Sequence, residues 1–148
     1  MPRRKVMPDV INQQNLTVFP PTASVREAAR AMAAKRIGAV LVVEGGALAG
    51  IFTERDLAVR VVAPGRDPDG TMLSEVMTGA PDVLRPDATA YDALSLMEAH
   101  NYRHLPVMDD DRLVGIVSIR DLFAVVKDQL EQDVKDRDAF IFGTSYAA

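Results

Sequence analysis

The chain repeats itself, and that repeat constrains its fold more than any other feature. Displaced by 65 residues, Phe19–Leu57 falls on Leu84–Leu122 without a gap, and 12 of the 39 aligned positions are identical. They include Pro21/Pro86, Ala28/Ala93, Met32/Met97, Gly50/Gly115, Arg55/Arg120, Asp56/Asp121 and Leu57/Leu122. Most mismatches keep their character, as in Phe52/Val117, Thr53/Ser118 and Glu27/Asp92. A self-match of this length marks a duplicated supersecondary unit that buries its apolar face against a copy of itself. The chain has 148 residues, enough for two units of roughly 60 residues, each marginal alone.

Each copy reads as β-α-β-β-α. A short apolar run (Leu16–Phe19; Val83–Leu84) meets proline. Ser24 or Thr89 then offers a helix cap, with Glu27 or Asp92 three residues on. Helices are predicted over Val25–Lys35 and Ala90–His100, where apolar residues recur at three and four. The runs Ala39–Val43 and Ala47–Phe52, and likewise His104–Met108 and Arg112–Val117, predict two hairpins across three turn residues each. A second helix starts at Thr53 or Ser118. Met72–Met77 reads as a short helical return into the second copy. Leu122–Val134 continues as an amphipathic helix with Lys127, Glu131 and Lys135 at spacing four on its wet face. The tail Phe140–Tyr146 holds three of the eight aromatics, either as a frayed terminus or as a docking segment.

Composition removes several chemistries. Zero cysteine excludes disulfides, thiolate catalysis and cysteine-ligated metal, and fits a reducing, cytoplasmic setting. A formal charge of −4 argues against a nucleic-acid-coating surface. No apolar run approaches the ~20 residues of a membrane span. His100 and His104 stand four apart, but the residue before Pro106 avoids helical geometry and no third ligand accompanies them, so zinc is not expected. Asp109–Asp111 is followed by no glutamate at the spacing a calcium loop needs. Gly45-Gly46 is a turn, Arg26, Glu27 and Arg30 form a wet helix face, and the basic start Pro2–Lys5 is a solvated tail. An enzyme needs a nucleophile–base pair or a metal, and none is evident.

The most informative repeated strings are Gly50-Ile51-Phe52-Thr53-Glu54-Arg55-Asp56 and Gly115-Ile116-Val117-Ser118-Ile119-Arg120-Asp121. A hydroxyl residue precedes a helix and a carboxylate follows three residues on, which is the pattern of a capping box. Two features point further. Aspartate is shorter than the Glu or Gln that usually closes such a box. Arg55 and Arg120 also sit in the first turn, where the helix dipole disfavours cations, unless an anion lies nearby. A helix N-terminus with hydroxyl and guanidinium suits phosphate, and an adjacent carboxylate suits paired sugar hydroxyls. A nucleotide site and plain capping both remain open on these residues alone.

Two β-α-β-β-α units, each ending Gly-aliphatic-apolar-Thr/Ser-x-x-Asp, resemble a tandem pair of CBS domains, the family named after cystathionine β-synthase. Val76-Met77-Thr78 and Tyr102-Arg103-His104-Leu105-Pro106-Val107 carry the likeness further. The resemblance implies an α+β fold of two modules related by a pseudo-twofold. The first module spans 8–63, a linker 64–75, the second 76–128, and a helical extension and aromatic tail 129–148. It implies composite pockets for an adenosine-containing ligand: AMP, ADP, ATP or S-adenosylmethionine. In one, Asp121 would hold ribose and Ser118 with Arg120 phosphate, with the base against Thr17, Val18, Ile37, Gly38 and Ala39. In the other, Thr53, Arg55 and Asp56 face Asp82, Val83, Tyr102, Arg103 and His104. Arg103 and His104 replace Gly38 and Ala39, so the Asp56 pocket is expected to favour more phosphate charge. The family implication is a non-enzymatic sensor that needs no cofactor. It would form a homodimer through the motif helices Asp56–Val62 and Asp121–Val134, and signal to a separate effector, since little chain follows the second copy. The alternative is a structural or interaction pair without a physiological ligand.

Overall fold

A computed structural model describes residues 4–12 and 14–143. In the first copy β1 (Val18–Phe19) runs parallel to β2 (Ala39–Glu44), which is antiparallel to β3 (Ala47–Thr53), with α1 (Val25–Lys35) as the crossover. The motif helix opens as α2 (Glu54–Asp56) and widens over Leu57–Val62, where the Ala63 N–H reaches back to the Ala58 carbonyl. A short helix α3 (Leu73–Val76) and strand β4 (Thr78–Gly79) follow, β4 adding antiparallel to β3. The second copy contains α4 (Ala90–His100), β5 (His104–Asp109), β6 (Arg112–Ser118) and α5 (Ile119–Asp138).

The duplication is visible hydrogen bond by hydrogen bond. The β1/β2 pair Phe19–Val42 has its counterpart in an isolated parallel bridge between Leu84 and Val107, so the second copy keeps a one-residue version of its first strand. Both crossover helices carry complete capping boxes: Ser24 Oγ accepts from Glu27 N at 3.1 Å, and Thr89 Oγ1 from Asp92 N at 3.0 Å. Both end in a left-handed residue, Arg36 (φ 54°) and Asn101 (φ 59°), which unwinds the chain into the next strand. The hairpins are one residue tighter than the sequence reading. Gly45 and Gly46 both have positive φ (58° and 81°), giving a two-residue turn that lets Glu44 pair with Ala47. Asp109 pairs with Arg112 in the same way across a turn with Asp110 at φ 54°.

What encloses each copy comes from elsewhere in the chain. Leu73 and Val76 are buried in the first copy's core beside Val25, Val40, Val42 and Phe52. The Leu73 N–H donates to Ala23 O at 2.9 Å. The segment read as a return into the second copy therefore closes the first. The second copy is closed by the start of the chain. Val6 and Ile11 enter its core with Leu84, Met97, Leu105 and Leu122, and Val6 N donates to Ala88 O at 2.7 Å. A third cluster lies between the sheets, where Ala39, Leu41 and Ile51 of the first meet Leu113 and Ile116 of the second. The two copies thus pack by their sheets, and the C-terminal end of β3 opens at a cavity between them.

On the wet face of α1, Arg26 makes a two-pronged, solvent-exposed ion pair with Asp69 of the connecting loop, at 2.7 and 3.2 Å. This contact ties the loop to α1.

Candidate functional site

At the end of β3, Thr53 caps α2. Its Oγ1 accepts from Asp56 N at 3.2 Å, while Asp56 Oδ2 accepts from Thr53 N at 2.9 Å and from Thr53 Oγ1 at 3.1 Å. The box is closed despite the short aspartate, and Asp56 is only 9% exposed. Capping uses one carboxylate oxygen. The other, Oδ1, looks toward Arg60 Nε at 3.6 Å, and Arg60 is itself held by the Val76 and Met77 carbonyls at 3.2 and 2.9 Å. The second copy repeats the cap, with Ser118 N donating to Asp121 Oδ2 at 2.9 Å and Asp121 N donating to Ser118 Oγ at 3.1 Å.

A cavity of about 390 Å³ opens beside Asp56, with walls from both copies. Thr53, Arg55 and Asp56 line one side; Asp82, Tyr102, Arg103 and His104 line the other. These seven sequence candidates are brought together. Val83, also a candidate, is 43% exposed and is not among the lining residues. The Tyr102 hydroxyl donates to Asp82 Oδ2 at 3.0 Å, a bond that raises its pKa and keeps it protonated, with burial adding in the same direction. His100 stacks on Tyr102, ring centroids 5.4 Å apart, so a flat aromatic surface stands at the cavity wall.

The candidates on the other side are arranged differently. The Thr17 hydroxyl accepts from Lys35 Nζ at 2.9 Å, Val18 is 47% exposed on β1, and Ile37 packs against the first core. Ala39 is buried in the inter-sheet cluster. Gly38 O accepts from Glu54 N at 2.9 Å, the counterpart of Arg103 O with Ile119 N at 2.8 Å. A Cβ on Gly38 would lie 3.1 Å from Glu54 Oε1 and 3.1 Å from His104 Cε1, so His104 reaches across from the second copy onto Gly38. Burial holds the His104 imidazole below its ordinary pKa. The Glu54 and Asp121 carboxylates pull it back up, and Arg103 pushes it further down. His104 is thus sensitive to acidic groups from both copies.

A family model for the CBS domain matches this chain twice, over residues 7–63 and 73–128. The chain belongs to the CBS-domain family. A relative in Bacillus subtilis, the CBS domain-containing protein YhcV, is 42% identical over 114 residues, covering 77% of this chain and 80% of its own. A related Arabidopsis thaliana protein, 40% identical over 102 residues, is matched over only 18% of its length. Two solved structures share the fold. A CBS domain protein from Pyrobaculum aerophilum, solved with AMP, matches with 28% identity and a TM-score of 0.70, over 80% of this chain and 88% of its own. A CBS-domain pair solved with 5′-methylthioadenosine and S-adenosyl-L-methionine matches with 26% identity and a TM-score of 0.77, over 86% and 99%.

Several residues of this CBS pair were not legible as site residues. Arg60, Val59, Thr78, Pro81 and Asn101 line the cavity, yet none belongs to a repeated motif. Arg60 carried one available signal: it stands four residues after Asp56 on the motif helix, where the second copy has Val125. Gln14 was also missed. Its side-chain amide donates to Ile116 O at 3.1 Å and accepts from Ile116 N at 2.9 Å, substituting for the strand that β4 adds at the equivalent Ile51.

Proposed function

We propose that the chain is a regulatory module that binds an adenosine-containing ligand (AMP, ADP, ATP or S-adenosylmethionine) between its two CBS copies and reports occupancy to a separate protein. The observation that carries the reading is the two-sided cavity at Asp56. One copy contributes a fixed carboxylate at a helix N-terminus. The other contributes Tyr102, Arg103 and His104. A carboxylate at the cavity wall, with one oxygen spent on its cap and the other beside Arg60, suits paired ribose hydroxyls, and Arg55 and Arg103 suit phosphate. The AMP and S-adenosylmethionine complexes of related CBS proteins support the ligand class. The pseudo-equivalent set, Ser118, Arg120 and Asp121 with Thr17, Val18, Ile37, Gly38 and Ala39, is the second pocket of this reading. It lacks the guanidinium of Arg103, so the Asp56 pocket takes the ligand with more phosphate.

A ligand touching both copies favours the relative orientation in which all its contacts are made, and shifts the population toward it. Equal affinity for every orientation would transmit nothing. The module acts in the cytoplasm as a homodimer through its motif helices, on which Val59 and Val62 are 59% and 68% exposed.

Calorimetric titration with AMP, ADP, ATP and S-adenosylmethionine, paired with thermal unfolding, tests the reading. Ligand at 100 times its dissociation constant is expected to add about 2.7 kcal/mol. Asp56→Asn keeps an oxygen for the cap, so it is expected to weaken ATP binding while leaving the fold intact. Loss of AMP binding with ATP binding untouched would contradict the pocket assignment. A second reading, a pair that serves only as scaffold or interaction module, is favoured by one observation: both aspartates close helix caps. Its signature is no stabilisation by any ligand in the series.

A further inference from the structure

The two copies differ where their motifs approach each other. Gly38 is the counterpart of Arg103, Ala39 of His104, and Glu54 of Ile119. Arg103 lines the Asp56 cavity. By the same geometry, the direction in which Gly38 would carry a side chain leads into the second pocket of the proposed function. That space is taken. A Cβ on Gly38 would stand 3.1 Å from Glu54 Oε1, 3.1 Å from His104 Cε1 and 3.2 Å from His104 Nε2.

The imidazole comes from the opposite wall. His104 pairs with Ser118 across the β5–β6 ladder, and directly opposed residues of an antiparallel pair share a face, their Cβ atoms about 4.5–5.5 Å apart. Ser118 and Asp121 form that wall through their shared cap. The half-buried ring lies near enough to Asp121 for that carboxylate to act on its charge. One side chain thus runs from the second motif to Gly38. A ring in van der Waals contact with the glycine leaves no gap for a flat base against the same surface. In the first copy Ala39 holds this position opposite Thr53, and its methyl group is too short to bar the Asp56 cavity in the same way. We propose that His104, backed by Glu54, closes the second pocket, so that the chain holds one ligand, at Asp56. The inference rests on the proposed function and sets its stoichiometry. Both motifs are complete and would by themselves count two sites; the count is decided by a variable position of the first motif and by the residue that opens β5.

Equilibrium dialysis against AMP and against ATP counts the ligands held per chain. The parent is expected to saturate at one, with binding weakened by Asp56→Asn. Glu54→Ile combined with His104→Ala replaces both residues by their counterparts in the other copy. That variant is expected to take a second AMP, and adding Asp121→Asn is expected to remove it again. His104→Ala alone is also expected to raise the count, and it carries the test if circular dichroism shows the double variant unfolded. Two ligands on the parent, or a count of one on every variant, overturns the closure and leaves the proposed function standing. No nucleotide on the parent or on any variant overturns the proposed function and the closure with it.

Discussion

The glycines that open the repeated motif serve packing. At Gly50 a Cβ would stand 2.6 Å from Met77 Sδ and 2.7 Å from Thr78 O; at Gly115 it would stand 2.8 Å from Ile11 Cδ1 and 3.0 Å from Gln14 Oε1. Each glycine lets the covering segment lie flat on its strand. At Gly50 one of the obstacles is a backbone carbonyl, whereas at Gly115 both are side-chain ends that can turn away. Gly50→Ala is therefore expected to cost about 1–3 kcal/mol in urea unfolding, and Gly115→Ala less. His104 supplies a pH dependence. Its folded pKa lies below the ordinary 6.5. As pH falls below that value the unfolded chain takes the proton first, so stability is full above 6.5 and declines toward the folded pKa. His104→Gln is expected to flatten that part of the stability–pH curve. An unchanged slope would show that the ring is not held neutral by its surroundings.

Among the elements, those with local signals were legible and those with distant partners were not. Both crossover helices lie where periodicity and capping put them, because Ser24–Glu27 and Thr89–Asp92 carry their start signals within four residues. The repeated motif was legible as the start of a helix at the end of each hairpin, but not in its detail. Thr53–Asp56 carries the capping-box spacing that the structure closes, but nothing in it indicates that Arg60 will stand opposite the second carboxylate oxygen. The exchange of covering segments was hidden as well. Leu73 contacts the first copy and Val6 the second, and the self-alignment that revealed the duplication does not reach either. Leu73 is fully buried, so Leu73→Ala is expected to cost about 2–5 kcal/mol. Amide exchange should speed up in β2 and β3 of the first copy, 20 or more residues from the substitution. Faster exchange in β5 and β6 instead would place α3 with the second copy.

For the whole molecule, duplication creates the site. One copy has a helix N-terminus with a carboxylate; the other supplies the facing wall, and the inter-sheet cluster of Leu41, Ile51, Leu113 and Ile116 sets the two in register. Gly38 and Ala39 stand where the second copy has Arg103 and His104, so the two sides are chemically unequal. In the proposed function, one ligand is gripped by both copies at once. Amide hydrogen exchange during an ATP titration tests this most directly. Thr53–Arg60 and Tyr102–Leu105 are expected to gain protection together, with one shared midpoint. Protection confined to a single copy, or none at saturating nucleotide, would contradict it.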